Sequence, residues 1–502
     1  MPTSSRIRRF EWVPREPGLG ENRPDLKMRP AMAELAEADT WPSPLQQALS
    51  PLAQMLGEEG IPKLSVKEGE PVPSPLDEAV ATLQVASEVE HAFLLQYLYA
   101  AFSLNPSAGP IVSDAFANLL EVAKQEMAHL VTVQNLLIAL GQSVDLNRED
   151  FPEHPDLYPF PAALEPLSLD SLAKYVTAES PTLDQIPDAD DRQLAEAAAS
   201  RANEVVRRKV HRVGALYAKL YWLFQETDAP QQPWLLPEDA IKAFVQVYGQ
   251  GFHLAEFADH TMIGNFVAIK AEWGGDPSLH VDPGLPRSSA LAAIATITAQ
   301  GEGPNSSPNL ESHFQIFLNL YRGFGQFPLG AVKNVAVNPT TREESDPSRA
   351  ITHPATRLWA QLCNLRYQTL LLDIELGISL DRSKEAQQRQ TVLRSWAVGA
   401  EMSQFIAPIA SNLTGKPLAA GPSITLLAGA PFEFGDEIPS SACERWKKQN
   451  LLIQDSASVI QSLKSVSGVS PDEQQLLGAI ESFDQDRRPL IAQMIQSLCG
   501  PS

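Results

Sequence analysis

The stretch from Pro75 to Gly141 constrains this chain more than any other, because it reads as two long helices whose apolar stripes carry acids and a histidine. The first opens at Ser74-Pro75-Leu76-Asp77, a hydroxyl at the N-cap, a proline where a missing N–H costs nothing, and an acid two residues on. Leu83, Ala86, Leu94 and Tyr97 recur at steps of three and four, and Glu90 lies within that stripe, while Glu88 falls on the wetter side with Gln84. On the second helix Leu119, Val122, Leu130, Val133 and Leu137 form the stripe, with Glu126 and His129 inside it. Acids are rarely fully buried without a partner, so two carboxylates and an imidazole aimed into a helical core need compensation. The Glu-x-x-His spacing puts both donors on one side of a helix, which suits a metal ion. The plainer reading of the same spacing is a half-exposed face whose groups hydrogen-bond one another.

Composition narrows the function classes. The 502 residues carry a formal net charge of −22, which argues against nucleic acid or an anionic membrane surface as a partner. No apolar run has the length of a membrane span, and the N-terminus lacks the apolar segment of a signal peptide. Cys363, Cys443 and Cys499 have no metal-type spacing, so they read as reduced thiols in ordinary packing, and the expected location is the cytoplasm. No glycine pattern of a dinucleotide or P-loop site occurs, so no nucleotide cofactor is expected.

Residues 1–74 read as a Pro-rich arm, with short helices expected around Ala31–Asp39 and Pro44–Leu56. The run from Phe151 to Leu167 holds five prolines and reads as a long loop packed across one end of the fold. A third long helix is expected from about Asp190 to Glu226, with His211, Ala215, Glu204 and Trp222 on its inner face. A metal site in a bundle would want a carboxylate there, and His211 is the nearest substitute. Between Tyr248 and Asp282, His253, Glu256 and His260 would share a helix face, but the glycines around them argue against a second metal cluster. Next come SALAAIATITAQGEG, ending near Glu302, and ESHFQIFLNLYRGF, starting near His313. Helices follow at Pro354–Leu376 and about Lys384–Leu413. The tail has one from about Ser440 to Ser465 and a last one opened by the capping box Ser470-Pro471-Asp472-Glu473.

The runs EVEHAFLLQYLYAAFSL, KQEMAHLVTVQNLLIALG, VGALYAKLYWLF, AQGEG with ESHFQIF, and AGAPFEF resemble, in order and spacing, the VioB-like ferritin-like proteins. That family is named for the iminophenyl-pyruvate dimer synthase of violacein biosynthesis. The resemblance implies an all-α, ferritin-like helical bundle over 75–435, flanked by the arm and by a C-terminal helical extension, 436–502. It also implies a non-haem metalloprotein acting as an oxidoreductase on a small amine- or imine-bearing molecule in specialised metabolism. Carried onto this sequence, Glu90 matches the first-helix acid, Glu126 and His129 the second-helix pair, and Glu302 and His313 the later acid and histidine. Two positions depart from the pattern: Ala215 and Ala299 stand where many relatives carry glutamate. With Glu90, Glu126 and Glu302 as the matched acids, the expected load is one divalent ion more comfortably than two, unless His211 or Glu204 fills the gap. Carboxylate and imidazole ligands suit iron or manganese, with zinc as a further candidate. Partners are then a small-molecule substrate and a second copy of the chain in a homo-oligomer. The alternative is a non-catalytic metal-binding protein, or a metal-free helical scaffold with a decayed di-iron site. Iron storage fits poorly, since it needs a shell of small uniform bundles.

Overall fold

The computed structural model describes residues 10–13, 61–64, 74–151, 158–224, 281–282, 284, 287–303, 311–344, 346–378, 383–421, 425–435 and 437–500. The helices expected at Ala31–Asp39 and Pro44–Leu56, and the stretch with His253, Glu256 and His260, lie outside these residues.

The fold is helical. Helix α1 spans Pro75–Ser103 and α2 spans Pro110–Ala139. The Asp77 N–H donates to Ser74 Oγ (3.1 Å) and the Ser74 N–H to Asp77 Oδ2 (2.9 Å), which satisfies orphan donors at the start of α1. The two helices pack together, and both are buried around much of their circumference. Helices α3 (Leu169–Ala178), α4 (Ala189–Val206), α5 (Gly214–Leu223), α6 (Arg287–Glu302) and α7 (His313–Gly323) complete the bundle around them.

The third long helix expected from the sequence is broken in two. Arg207 ends α4 in the left-handed region (φ 59°), and α5 begins only at Gly214. On the way the His211 N–H donates to Pro159 O and the Val213 N–H to Ala178 O, both at 2.9 Å. Backbone groups in this turn thus bind other segments and not their own helix, so helical periodicity across 190–226 does not survive.

The C-terminal part contains α8 (Pro354–Gly377), α9 (Lys384–Arg394), a π-helical segment (Ser395–Ile406), α10 (Ala407–Leu413), α11 (Ala442–Lys464) and α12 (Pro471–Cys499). The capping box read at Ser470 is present, with Glu473 N–H to Ser470 Oγ at 3.2 Å and Ser470 N–H to Glu473 Oε2 at 2.7 Å. A small antiparallel pair, β1 (Phe10–Val13) and β2 (Ile61–Leu64), lies in the arm, and β2 contacts α1 and α5.

Two expectations need correction. Residues 158–160 close over α1: Phe160 stacks on Phe93 (5.6 Å between ring centres), and Tyr158 Oη donates to Glu88 Oε2 at 3.2 Å. Glu88 is therefore buried, not on a wet face, because a distant segment covers it. Cys443 and Cys499 are joined in a disulfide, since the start of α11 and the end of α12 bring their Cα atoms to 5.3 Å. Only Cys363 is a free thiol, and the argument from unpaired cysteines to a reducing compartment falls away.

Candidate metal centre

Six titratable side chains from five segments meet inside the bundle. Glu90 comes from α1, Glu126 and His129 from α2, Glu179 from the residue capping the end of α3, Glu302 from the last position of α6, and His313 from the first of α7. None is more than 3% exposed. The Ser312 side chain caps α7, accepting from the Gln315 N–H (3.2 Å), and so fixes where His313 enters the core.

The groups fall into two triads that share one residue. Glu90, Glu126 and His129 form the first, and Glu126, Glu179 and His313 the second; in each, one donor atom per residue lies within 4.8 Å of the others. Glu126 divides its oxygens between them: Oε2 lies 3.0 Å from His129 Nδ1 and Oε1 lies 3.0 Å from His313 Nδ1. On the outer sides, Glu90 Oε2 is 3.5 Å from His129 Nδ1 and Glu179 Oε2 is 3.8 Å from His313 Nδ1. Each imidazole turns its far nitrogen to an amide: His129 Nε2 to Gln300 Oε1 (2.9 Å) and His313 Nε2 to Gln125 Oε1 (2.7 Å). An accepting oxygen there puts the proton on Nε2 and leaves Nδ1 for the carboxylate side, the arrangement that suits an ion held at Nδ1.

Glu302 lines the same cavity but belongs to neither triad among the described residues. Its carboxylate rests against the start of α5, where a Cβ on Gly214 would come within 1.7 Å of Oε2 and force the carboxylate to move. Glu204 is exposed on α4 and His211 is half-buried; neither joins the cluster. His211 lies in the turn that replaced the expected helix. Ala215 is buried in the first turn of α5, and Ala299 is half-buried next to Gln300. Tyr217 lines the cavity, Tyr97 reaches Glu179, and Tyr221 is buried away from the lining.

Glu179 was missed by the sequence reading, and it supplies the acid that Ala215 seemed to withdraw. A signal for it existed: Leu172, Tyr175, Val176 and Glu179 follow the same i, i+3, i+4, i+7 pattern that exposed Glu90. With Glu179 the inward acids of the cluster number four, one more than the three on which the expectation of a single ion rested.

Electrostatics show what the cluster lacks. Burial, then the neighbouring charge of Glu126, pushes the Glu90 carboxyl up to about 8. Burial likewise raises Glu179 and Glu302, each made worse by a nearby glutamate. Burial opposes charging His313 too, but the Glu126 and Glu179 carboxylates outweigh it and lift the imidazole to about 9. Glu126 is also penalised by burial, yet the two imidazoles hold it well below the usual carboxylate range. Among the described residues, no lysine or arginine forms an ion pair with Glu90, Glu126 or Glu179; protons on histidine are the cations at hand. Glu90 Oε2 and both Glu302 oxygens are buried without a side-chain hydrogen-bond partner, and Glu126 Oε1 and His313 Nδ1 face only each other, at 3.0 Å. Such groups cost about 1–3 kcal/mol each when left unsatisfied, and more when charged. Their convergence on one small cavity, with oxygen and imidazole donors, fits one or two divalent ions.

A helical bundle with carboxylates and histidines converging at its centre is compatible with a metal site. Residues 83–322 match the family model described as ferritin-like. The chain is 25% identical over 417 residues to dichlorochromopyrrolate synthase of Lentzea aerocolonigenes, an alignment that covers 72% of this chain. The chain spans only 37% of that relative's length. No solved structure gave a significant match. These findings support the resemblance to the VioB-like ferritin-like proteins and an all-α ferritin-like fold. Among the described residues, no helix is long and apolar enough to cross a membrane.

Proposed function

We propose that this chain is a ferritin-like biosynthetic oxidative enzyme whose central acids and histidines would hold two divalent metal ions, iron before manganese or zinc. One observation carries this reading: two buried His–carboxylate triads share Glu126, and Glu90 Oε2 among their oxygens has no hydrogen-bond partner. Glu90 and His129 would hold one ion, Glu179 and His313 the other, and Glu126 both. When bound, such a centre supplies redox equivalents and Lewis acidity. The protein's part is to hold the donors still and dry. Gln300 and Gln125 fix the two imidazoles, and complete burial keeps bulk water from the carboxylates. The cavity between the ligands is only about 10 Å³, room for a water or an ion and not for an organic molecule. Phe93, Val213 and Ile297 supply the apolar part of that lining.

The relative's name is that of a synthase of a chlorinated pyrrole acid, which supports a small amine- or imine-derived substrate in specialised metabolism for this chain. Elemental analysis of protein purified without added metal tests the proposal. Two ions per chain are expected in the wild type and none in Glu126→Ala, which removes the carboxylate common to both triads. A wild type free of metal in every preparation would overturn the reading and leave the scaffold with a decayed site, the interpretation that Ala215 and Ala299 favour.

A further inference from the structure

Each outer carboxylate of the cluster is held by a buried phenol from another segment. Tyr97 Oη, on α1, donates to Glu179 Oε1 at 2.7 Å, and Tyr217 Oη, on α5, donates to Glu90 Oε1. In both halves the phenol takes Oε1 while Oε2 faces the imidazole of its triad. The two halves are thus built alike although their parts come from different helices. The bonds are crossed: Tyr97 lies two helical turns beyond Glu90 on the same helix, yet serves the other triad. A third phenol provides a comparison within the same aromatic cluster. Tyr175 packs edge-on against Tyr97 (4.8 Å between ring centres), and its buried hydroxyl has no partner.

We infer that Tyr97 and Tyr217 are positioning residues that set how Glu179 and Glu90 bind metal: each ties down one carboxylate oxygen so that only the other ligates. A carboxylate free to rotate can close on an ion with both oxygens and use up a coordination position. One whose Oε1 accepts a phenol hydrogen bond presents a single oxygen and leaves that position open. The fold spends two buried tyrosines on this restraint, one for each triad, while Glu126, which must serve both, has no phenol on it.

The inference rests on the two-ion reading, and its test separates the two. Metal-free protein is titrated with cobalt(II) chloride, following heat and the visible absorption of the bound ion, which weakens as coordination number rises. Wild type is expected to take two equivalents. In Tyr217→Phe one of the two sites should weaken about tenfold and lose absorption intensity, the other staying as it was, in line with the usual effect of removing a hydrogen bond to a metal ligand. Tyr97→Phe should do the same to the complementary site, and the double variant should alter both. Tyr175→Phe, which makes the same change of size in the same cluster, should alter neither. Failure of wild type to bind cobalt would sink the two-ion reading itself. Two unaltered sites in both phenylalanine variants, or an equal effect of Tyr175→Phe, would overturn the inference alone. Melting of each metal-free variant, expected within a few degrees of wild type, separates lost positioning from lost fold.

Discussion

Two clusters of buried charge lie in this molecule, and they are built on opposite principles. In the C-terminal part, Arg366 and Asp373 of α8, Glu401 of the π-helical segment, and Asp484 and Arg487 of α12 interlock. Arg366 reaches Glu401 (2.8 Å) and both oxygens of Asp484 (3.0 and 2.9 Å), while Arg487 lies 3.2 Å from Asp373 and 3.1 Å from Glu401. Three acids therefore face two guanidiniums that the chain itself provides, and Phe405 and Phe483 stack on those cations. The central cluster has four acids and two histidines, and among the described residues no arginine or lysine pairs with Glu90, Glu126 or Glu179, although the Arg212 charge acts on Glu302. Burying a carboxylate is costly in either place. Where the charge serves packing, the fold brings its own cation; at the central cluster the proposed metal would supply it. The difference separates a structural network from a ligand site more sharply than burial or acid count does.

The largest test of that contrast removes a cation from the closed network. Arg366→Met leaves Glu401 and Asp484 buried without their main partner, and should cost about 3–5 kcal/mol of stability. Denaturant unfolding would show it, and a loss below about 1 kcal/mol would mean that the network is not closed by its arginines. Metal is the corresponding test for the open cluster. At a free ion concentration of 100 times Kd, each bound ion should stabilise the chain by about 2.7 kcal/mol, reversed by a chelator. An unchanged melting temperature on loading would show that the cluster is already compensated, and the comparison would collapse.

A smaller effect runs the other way. Because the Glu90 carboxyl is raised to about 8, keeping it ionised above that pH costs the metal-free fold stability. Glu90→Gln preserves the acceptor for Tyr217, and should stabilise metal-free protein at pH 9 by about 1 kcal/mol while weakening metal binding. A variant that lost stability without metal would place Glu90 with the structural acids. The smallest effect is a pH dependence within the closed network. Burial outweighs the Arg487 charge and lifts Asp373 to about 7 in the folded state, from about 3.8 when unfolded. The folded chain therefore binds this proton more tightly, and its contribution to stability is full below about pH 4 and lost as pH rises through about 7. Asp373→Asn should flatten the melting profile between pH 5 and 8, and an unaltered slope would assign that slope to other groups, Glu375 first, whose carboxyl burial also raises to about 7.

Much of this was legible in the chain before any packing was considered, for local reasons. Helix starts at Ser74 and Ser470 follow from side chains that bond backbone groups three residues away, and the inward phase of Glu90, Glu126 and His129 follows from steps of three and four. Glu302 and His313 were visible as the ends of two helices that a short break separates. What the sequence left open depends on segments far apart. Glu88 looked solvated because its cover arrives from Tyr158, and the helix over 190–226 breaks because carbonyls of Pro159 and Ala178 claim the N–H groups of His211 and Val213. Cys443 and Cys499, separated by 56 positions, meet because α11 and α12 lie side by side. Periodicity tells which face of a helix is inward, since that is a property of one helix; which inward groups meet is a property of how helices pack. By itself the sequence determined that acids and histidines enter the core, and tertiary structure decided that Glu179 joins them and that Glu126 stands between two triads.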